Sequence, residues 1–210
     1  MSKNNDKRLP SPEAVFIEEE NKEKDSKPPV FILSGMTQPE KDNYGALVEQ
    51  LGGKMLESIF FDTSCTHLVI GNPARNEKFL ASVASGKWVL HKSYFEACRQ
   101  EGKFVQEDFY EWGGDGTTGL PNNTQTAKLA SAAHRWRVKV QRMLKEKNHC
   151  PGAFDGWTVL LNCDKVKDEN FKRLLEAGGA NVLSHKPPYP ENITASHAFL
   201  DFNKRPISNL

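Results

Sequence analysis

The chain has 210 residues, of which 28 are lysine or arginine and 27 are aspartate or glutamate, so its formal net charge is +1. This length allows one large hydrophobic core or two small ones. A net charge near zero excludes a whole-molecule field that would drive the protein onto nucleic acid or a membrane, so any basic site must be local.

The first 27 residues are rich in Lys, Glu, Asp, Asn, Ser and Pro, with one short apolar patch at Val15-Phe16-Ile17. Such a segment cannot bury enough apolar surface to fold alone, and we predict a disordered tail over residues 1–27. It has no apolar signal core, and no run in the chain approaches the roughly 20 apolar residues of a spanning helix. We therefore expect an intracellular protein, in the cytosol or the nucleus.

Residues 28–112 contain a regular alternation of apolar runs and amphipathic stripes. The run Val30–Leu33 predicts a strand buried on both faces, and Tyr44, Leu47, Val48 and Leu51 have the i, i+3, i+4, i+7 spacing of a helix. The predicted elements are a strand at 30–33, a helix at 38–51, strands at 54–59 and 66–70, a helix at 75–84, a strand at 88–90 and a helix at 91–100. This order is typical of an α/β domain with a short, mostly parallel four-stranded sheet.

A linker and a long helix follow this domain. Residues 113–126, GGDGTTGLPNNTQT, have loop composition and predict a flexible linker, and residues 127–148 predict a linker helix. The helix has an apolar stripe, and we expect its basic residues to face solvent. The stripe consists of Leu129, Ala133, Trp136, Val140 and Met143, and the basic residues are Arg135, Arg137, Lys139, Arg142, Lys145 and Lys147. A weak DNA contact through this basic face remains an open alternative.

Residues 152–210 repeat part of the first domain. The segment FDGWTVLLNC (154–163) predicts a strand, and FKRLLEAGGANVL (171–183) repeats the helix, Gly-Gly and strand pattern of LVEQLGGKML (47–56). A further strand is predicted at Ala198–Leu200. We therefore predict a partial second repeat that has a first strand, a first helix and two more strands, without the later elements.

Ser34 and Gly35 end the first predicted strand, and two interpretations of this pair are open. Both residues are common in turns. A hydroxyl and a closely approaching backbone N–H at a strand end can also hold a phosphate.

Several segments together resemble the BRCT domain: the Ser-Gly strand end, Gly52-Gly53, CTHLVIG (65–71) and GKWVLHKSYFEAC (86–98). The likeness covers residues 29–112 fully and 152–203 partly, as two tandem repeats. It implies a phosphoserine- or phosphothreonine-dependent binding module. Such a module acts as a nuclear scaffold in the DNA damage response, replication checkpoint signalling and DNA repair, with phosphorylated proteins as partners.

The resemblance also implies which residues hold the phosphate: Ser34, Gly35 and Lys78. Lys41 and Arg75 are candidates for further peptide contacts. Arg75 and Lys78 are three residues apart at the start of a predicted helix, which favours a shared face, and a helix N-terminus favours an anion. The second repeat ends its strand on Asn162-Cys163 and has no matching lysine pair, so we predict one phosphate site.

Three other functions compete with this prediction. DNA or poly(ADP-ribose) binding is favoured by the basic linker helix and disfavoured by the net charge. A phosphorylation-independent scaffold would not need Ser34 or Lys78. An enzyme is disfavoured because the sequence lacks the G-x-x-x-x-G-K-[ST], strand-linked G-x-G-x-x-G and G-x-S-x-G motifs. The spacing of Cys65, Cys98, Cys150 and Cys163 indicates neither a metal site nor a disulfide framework, and we predict no cofactor.

Overall fold

Two α/β units joined by a long helix make up the computed structural model, which describes residues 27–116, 124–147 and 151–201. The predicted tail before residue 27, half of the predicted linker (117–123) and Cys150 lie outside these residues. None of the described helices is long and apolar enough to cross a membrane. The elements are β1 (Val30–Ser34), α1 (Gln38–Gln50), β2 (Lys54–Leu56), β3 (His67–Ile70), α2 (Glu77–Ala84), β4 (Trp88–Leu90), α3 (Ser93–Glu101), α4 (Thr124–Lys147), β5 (Thr158–Asn162), α5 (Lys165–Ala177), β6 (Asn181–Leu183) and β7 (His197–Leu200).

The first unit is built on a four-stranded sheet in the order β2-β1-β3-β4, with every pair of neighbours parallel. Strand β1 is central, and Phe31, Ile32 and Leu33 are buried on it. Helices cover both faces of such a sheet, which explains the continuous apolar run in the sequence. The predicted α/β class and the parallel four-stranded sheet are confirmed. Strand β2 ends at Leu56, three residues before the predicted end.

Alternate residues of β1 serve two different cores, because successive side chains in a strand point to opposite faces. Phe31 and Leu33 pack with α1 and α3 in a cluster that includes Tyr44, Val48 and Phe95. Ile32 lies in the cluster on the other face, with Phe79 of α2 and Ala133 of α4. Helix α2 is therefore enclosed between the sheet and the linker helix.

The second unit has a three-stranded parallel sheet in the order β6-β5-β7 within the described residues. Val159, Leu161 and Leu175 form its small core. The unit packs on the first one through α5 and α2. At this contact the Arg173 guanidinium donates to both carboxylate oxygens of Glu77, at 3.0 and 2.8 Å, and lies 3.9 Å from the centre of the Phe60 ring.

Helix α4 begins at Thr124, three residues before the predicted start. Its apolar stripe packs as predicted, with Ala133 and Val140 buried. The prediction that all its basic residues face solvent is wrong for Arg137, which is 3% exposed. The Arg137 guanidinium makes two hydrogen bonds to the buried Glu111 carboxylate and lies 3.4 Å from the centre of the Trp88 ring. This buried pair attaches the linker helix to the first unit.

Replacing Glu111 by Gln tests that attachment. Glu111 is 1% exposed and also accepts a hydrogen bond from His134 Nδ1 at 2.6 Å. The substitution leaves the buried Arg137 guanidinium with only the exposed Asp108 carboxylate, 3.9 Å away, as a counter-charge, and we expect the free energy of unfolding to fall by about 3–5 kcal/mol. Urea-induced unfolding measures this loss.

The matched control is Glu101→Gln, at the exposed end of α3, which should change the stability by less than about 0.5 kcal/mol. A loss below about 1 kcal/mol for Glu111→Gln would contradict the assignment of this pair as the main attachment of α4.

Candidate anion-binding site at the end of strand β1

Ser34 is the last residue of β1, and its side chain is half-buried at the carboxyl edge of the sheet. Gly35 follows with φ +63°, in the left-handed region that glycine adopts without a steric cost. A Cβ at Gly35 would meet Ile70 Cγ1 at an ordinary 3.7 Å, so the backbone conformation rather than lack of space favours glycine here. The turn leads directly to the Thr37 cap of α1, whose hydroxyl accepts from the Glu40 N–H at 3.4 Å.

Asn76 links Ser34 to the start of α2. The Asn76 side chain caps this helix, because its Oδ1 accepts from the Phe79 N–H at 3.0 Å. Its Nδ2 donates to Ser34 Oγ at 3.3 Å, which leaves the hydroxyl hydrogen of Ser34 able to donate to a ligand. The sequence analysis missed Asn76. The signal was its type and place, an asparagine directly before the first residue of a helix.

Lys78 is held at the same strand end by backbone carbonyls. Its ammonium donates to the Leu33 carbonyl at 3.0 Å and to the Ser58 carbonyl in the loop after β2. An ammonium has three donors, so two of them fix its position and one remains for a ligand. Burial lowers the pKa of Lys78, and the nearby positive charge of Lys41 lowers it further.

The two residues predicted as further peptide contacts lie in different places. Lys41 is half-buried in the first turn of α1 and lines the same groove as Lys78. Helix α2 begins at Glu77 with Asn76 as its cap, so Arg75 precedes the helix and is exposed. The prediction that Arg75 and Lys78 share a helical face is therefore wrong. Glu77, between Asn76 and Lys78, has its carboxylate paired with Arg173.

The second unit has a related arrangement in which a carboxylate of the protein itself takes part. Lys186 donates to the Leu161 carbonyl at 3.3 Å, as Lys78 does to that of Leu33, and also bonds to Asp168. The other carboxylate oxygen of Asp168 accepts from the Cys163 N–H at 2.9 Å. Asp168 is four residues after the cap of α5, the position that Lys41 has in α1. The second strand end is thus neutralised internally, whereas the first one has two ammonium groups.

The sequence is similar to known proteins over most of its length. Residues 26–99 match the model of the BRCA1 C Terminus (BRCT) domain. The chain is 34% identical over 180 residues to the SMC5-SMC6 complex localization factor protein 1 of Bos taurus, a match that covers 84% of this chain and 16% of that protein. It is 29% identical over 178 residues to a BRCT domain-containing protein of Arabidopsis thaliana, with 83% and 12% covered. The chain therefore spans less than a fifth of the length of these relatives.

The fold is also found among solved structures. The BRCT5-BRCT6 domains of S. pombe Brc1 superimpose with a TM-score of 0.51 at 19% identity, over 75% of this chain and 66% of that chain. At this identity the likeness concerns the fold alone.

A finer likeness predicted from the sequence needs correction. The sequence predicted a likeness to the last two BRCT repeats of the topoisomerase II-binding protein, on the segments FILSGMT (31–37), RNEKFLASVASGKWVLH (75–91) and HRWR (134–137). The relatives found by comparison instead include SMC5-SMC6 complex localization factors, at 32–34% identity in three mammals. The broader likeness holds: residues 26–99 match the BRCT domain model, and the parallel α/β fold of the first unit agrees with it.

Proposed function

We propose that this chain is a phosphoserine- or phosphothreonine-dependent protein-binding module that holds the phosphate at the end of β1. Ser34, Gly35 and Lys78 are the phosphate ligands in this proposal, and Lys41 adds a second positive charge. The observation that carries it is the fixed position of a hydroxyl and an ammonium at one strand end. Asn76 orients the first, and two backbone carbonyls anchor the second.

The electrostatics of the site suit a phosphate monoester. Such a group carries a charge of about −1.5 to −2 and accepts strong hydrogen bonds from cationic donors. Asn76 brings the N-terminus of α2 next to Ser34, and a helix N-terminus adds a favourable field for an anion. The Glu77 carboxylate, which would oppose that field, is paired with Arg173.

The cellular role is part of the same proposal. Three of the matched relatives are named for localising the SMC5-SMC6 complex, and a phosphate-dependent module in such a protein would act as a non-catalytic scaffold. We propose a nuclear role in DNA repair and checkpoint signalling, with phosphorylated proteins of the DNA damage response as partners.

Binding of a degenerate phosphoserine and phosphothreonine peptide library, followed by fluorescence anisotropy, tests the proposal. We expect Ser34→Ala and Lys78→Met each to weaken binding about tenfold or more, because the loss of a charge-assisted hydrogen bond costs about 1.5–3 kcal/mol. Methionine retains most of the lysine volume in the half-buried position, so this variant separates the loss of charge from the loss of packing.

Lys103→Met is the control, because Lys103 is exposed and lies outside the groove next to Lys78. Equal binding of phosphorylated and dephosphorylated peptides would refute the proposal. A duplex DNA and a poly(ADP-ribose) arm complete the test, since binding there with a steep salt dependence, in the absence of phosphate-dependent peptide binding, would favour a nucleic-acid function instead.

The substitution Asn76→Asp distinguishes the two roles of Asn76, which orients the Ser34 hydroxyl and caps α2. Aspartate also caps helices, so we expect the free energy of unfolding to change by less than about 0.5 kcal/mol. The variant loses the N–H donor to Ser34 and places a negative charge beside the phosphate, and phosphopeptide affinity should fall by more than about tenfold. Thermal unfolding and anisotropy on the same samples measure both quantities, and unchanged affinity would remove Asn76 from the site.

A further inference from the structure

Helix α4 carries a row of basic side chains on the side that faces away from the first unit. Ala133, Arg137 and Val140 mark the opposite side, which is buried against that unit. At 3.6 residues per turn, four basic residues fall within about 60° of one another around the helix axis, roughly opposite these three. We call this set the basic row. It consists of Lys128, Arg135, Lys139 and Arg142, all of which are exposed.

Most of the basic row has no carboxylate partner among the described residues. Glu146 is the only acidic residue of α4, and its carboxylate lies 4.0 Å from the Arg142 guanidinium, a long separation for an exposed ion pair. The other three members form no ion pair with a described residue. The described ion pairs between α4 and other elements are to Glu111 and Asp108, on the side of the first unit. The row is therefore a local positive patch on a chain whose net charge is only +1.

The surface around the row is polar. The Ser131 hydroxyl accepts from the Arg135 guanidinium at 3.1 Å, and the Lys139 ammonium lies 5.1 Å from the centre of the half-buried Trp136 ring. Val138, beside the row, is a single exposed apolar side chain of the kind found on most protein surfaces. The row thus has cationic donors and lacks an apolar centre.

This chemistry selects among the classes of partner that positive charge could attract. A protein interface has an apolar core that is depleted in charge, and a single-stranded nucleic acid stacks its bases on exposed aromatic rings. A helix that lies on a membrane needs a free apolar face, whereas that of α4 is buried against the first unit. The backbone of a nucleic-acid duplex requires only cationic donors for its phosphates.

The length of the row suits a duplex. Lys128 and Arg142 are 14 residues apart, which at 1.5 Å per residue is about 21 Å along α4. DNA rises about 3.4 Å per base pair and carries two phosphates in each, so the row spans about six base pairs and has a phosphate within reach of every member.

We propose that the basic row binds the phosphate backbone of duplex DNA without reading its sequence. Charge complementarity identifies the occupant, because lysine and arginine contacts to phosphates position a duplex and carry no base information. Proteins that select RNA duplexes also contact the 2′-hydroxyl groups, and the row consists of phosphate donors. This site goes beyond the proposed function and does not rest on it, since the two sites share no residue.

The experiment measures fluorescence anisotropy of a labelled DNA duplex of about 20 base pairs with the full 210-residue chain, between about 50 and 200 mM salt. We expect a Kd of about 1–100 µM at the lowest salt, typical of sequence-independent binding. Four phosphate contacts predict a slope of about −3.6 for the logarithm of the association constant against that of the salt concentration.

Two variants of equal net charge locate the contact. The first replaces all four members of the basic row by Gln, which also favours helices, and it should lose duplex binding. The second replaces four exposed lysines outside α4 by Gln and should bind like the natural chain. These lysines are Lys27, Lys54, Lys103 and Lys165. The single substitution Arg135→Gln should make the slope shallower by about 0.9, and the thermal unfolding midpoints of all variants show whether each remains folded.

The outcomes distinguish this proposal from the proposed function. An equal loss of duplex binding in both four-residue variants, or no binding by the natural chain at the lowest salt, overturns the basic row as a DNA site. Binding to an RNA duplex of the same length that is more than about threefold tighter overturns the commitment to DNA. Phosphopeptide binding should be the same in the row variant and in the natural chain. A failure of phosphate-dependent peptide binding refutes the proposed function alone, because Ser34→Ala and Lys78→Met should leave duplex binding unchanged.

Discussion

The central position of β1 in an all-parallel sheet is the constraint on which the rest of the first unit depends. Parallel strands need long crossover connections, and the helices among them cover both faces of the sheet, so β1 must be apolar on both. Its polar residues are therefore confined to its end, at Ser34 and Gly35. The same topology brings the start of α2 to that edge, and this juxtaposition creates the site.

Buried charges are neutralised by an ion pair in one part of the molecule and remain available to a ligand in another. Glu111 and Arg137 are both buried, and their pairing attaches α4 to the first unit. Lys78 is also partly buried, but backbone carbonyls hold it in place of a carboxylate. A carbonyl dipole positions an ammonium without neutralising it, so the charge remains available to an incoming anion.

The two units differ in the charge of one residue near the end of the first strand, and this difference decides whether that strand end can bind an external anion. Lys41 in α1 and Asp168 in α5 have corresponding positions after the helix caps. Asp168 binds both a backbone amide and Lys186, which satisfies internally the groups that an external anion would otherwise bind. Lys41 instead adds to the positive charge next to Lys78.

The sequence alone determined the order of the elements, the parallel sheet and the repeat, because buried strands and amphipathic helices have local periodicities that survive without tertiary information. It also indicated Ser34, Gly35 and Lys78 as candidates, through motifs that resemble a known domain. Tertiary structure decided what depends on distant residues: that Asn76 orients Ser34, that Arg137 is buried on Glu111, and that a groove runs from Lys78 along α1. Each of these arises from side chains far apart in the chain, and no local pattern records which of them will meet.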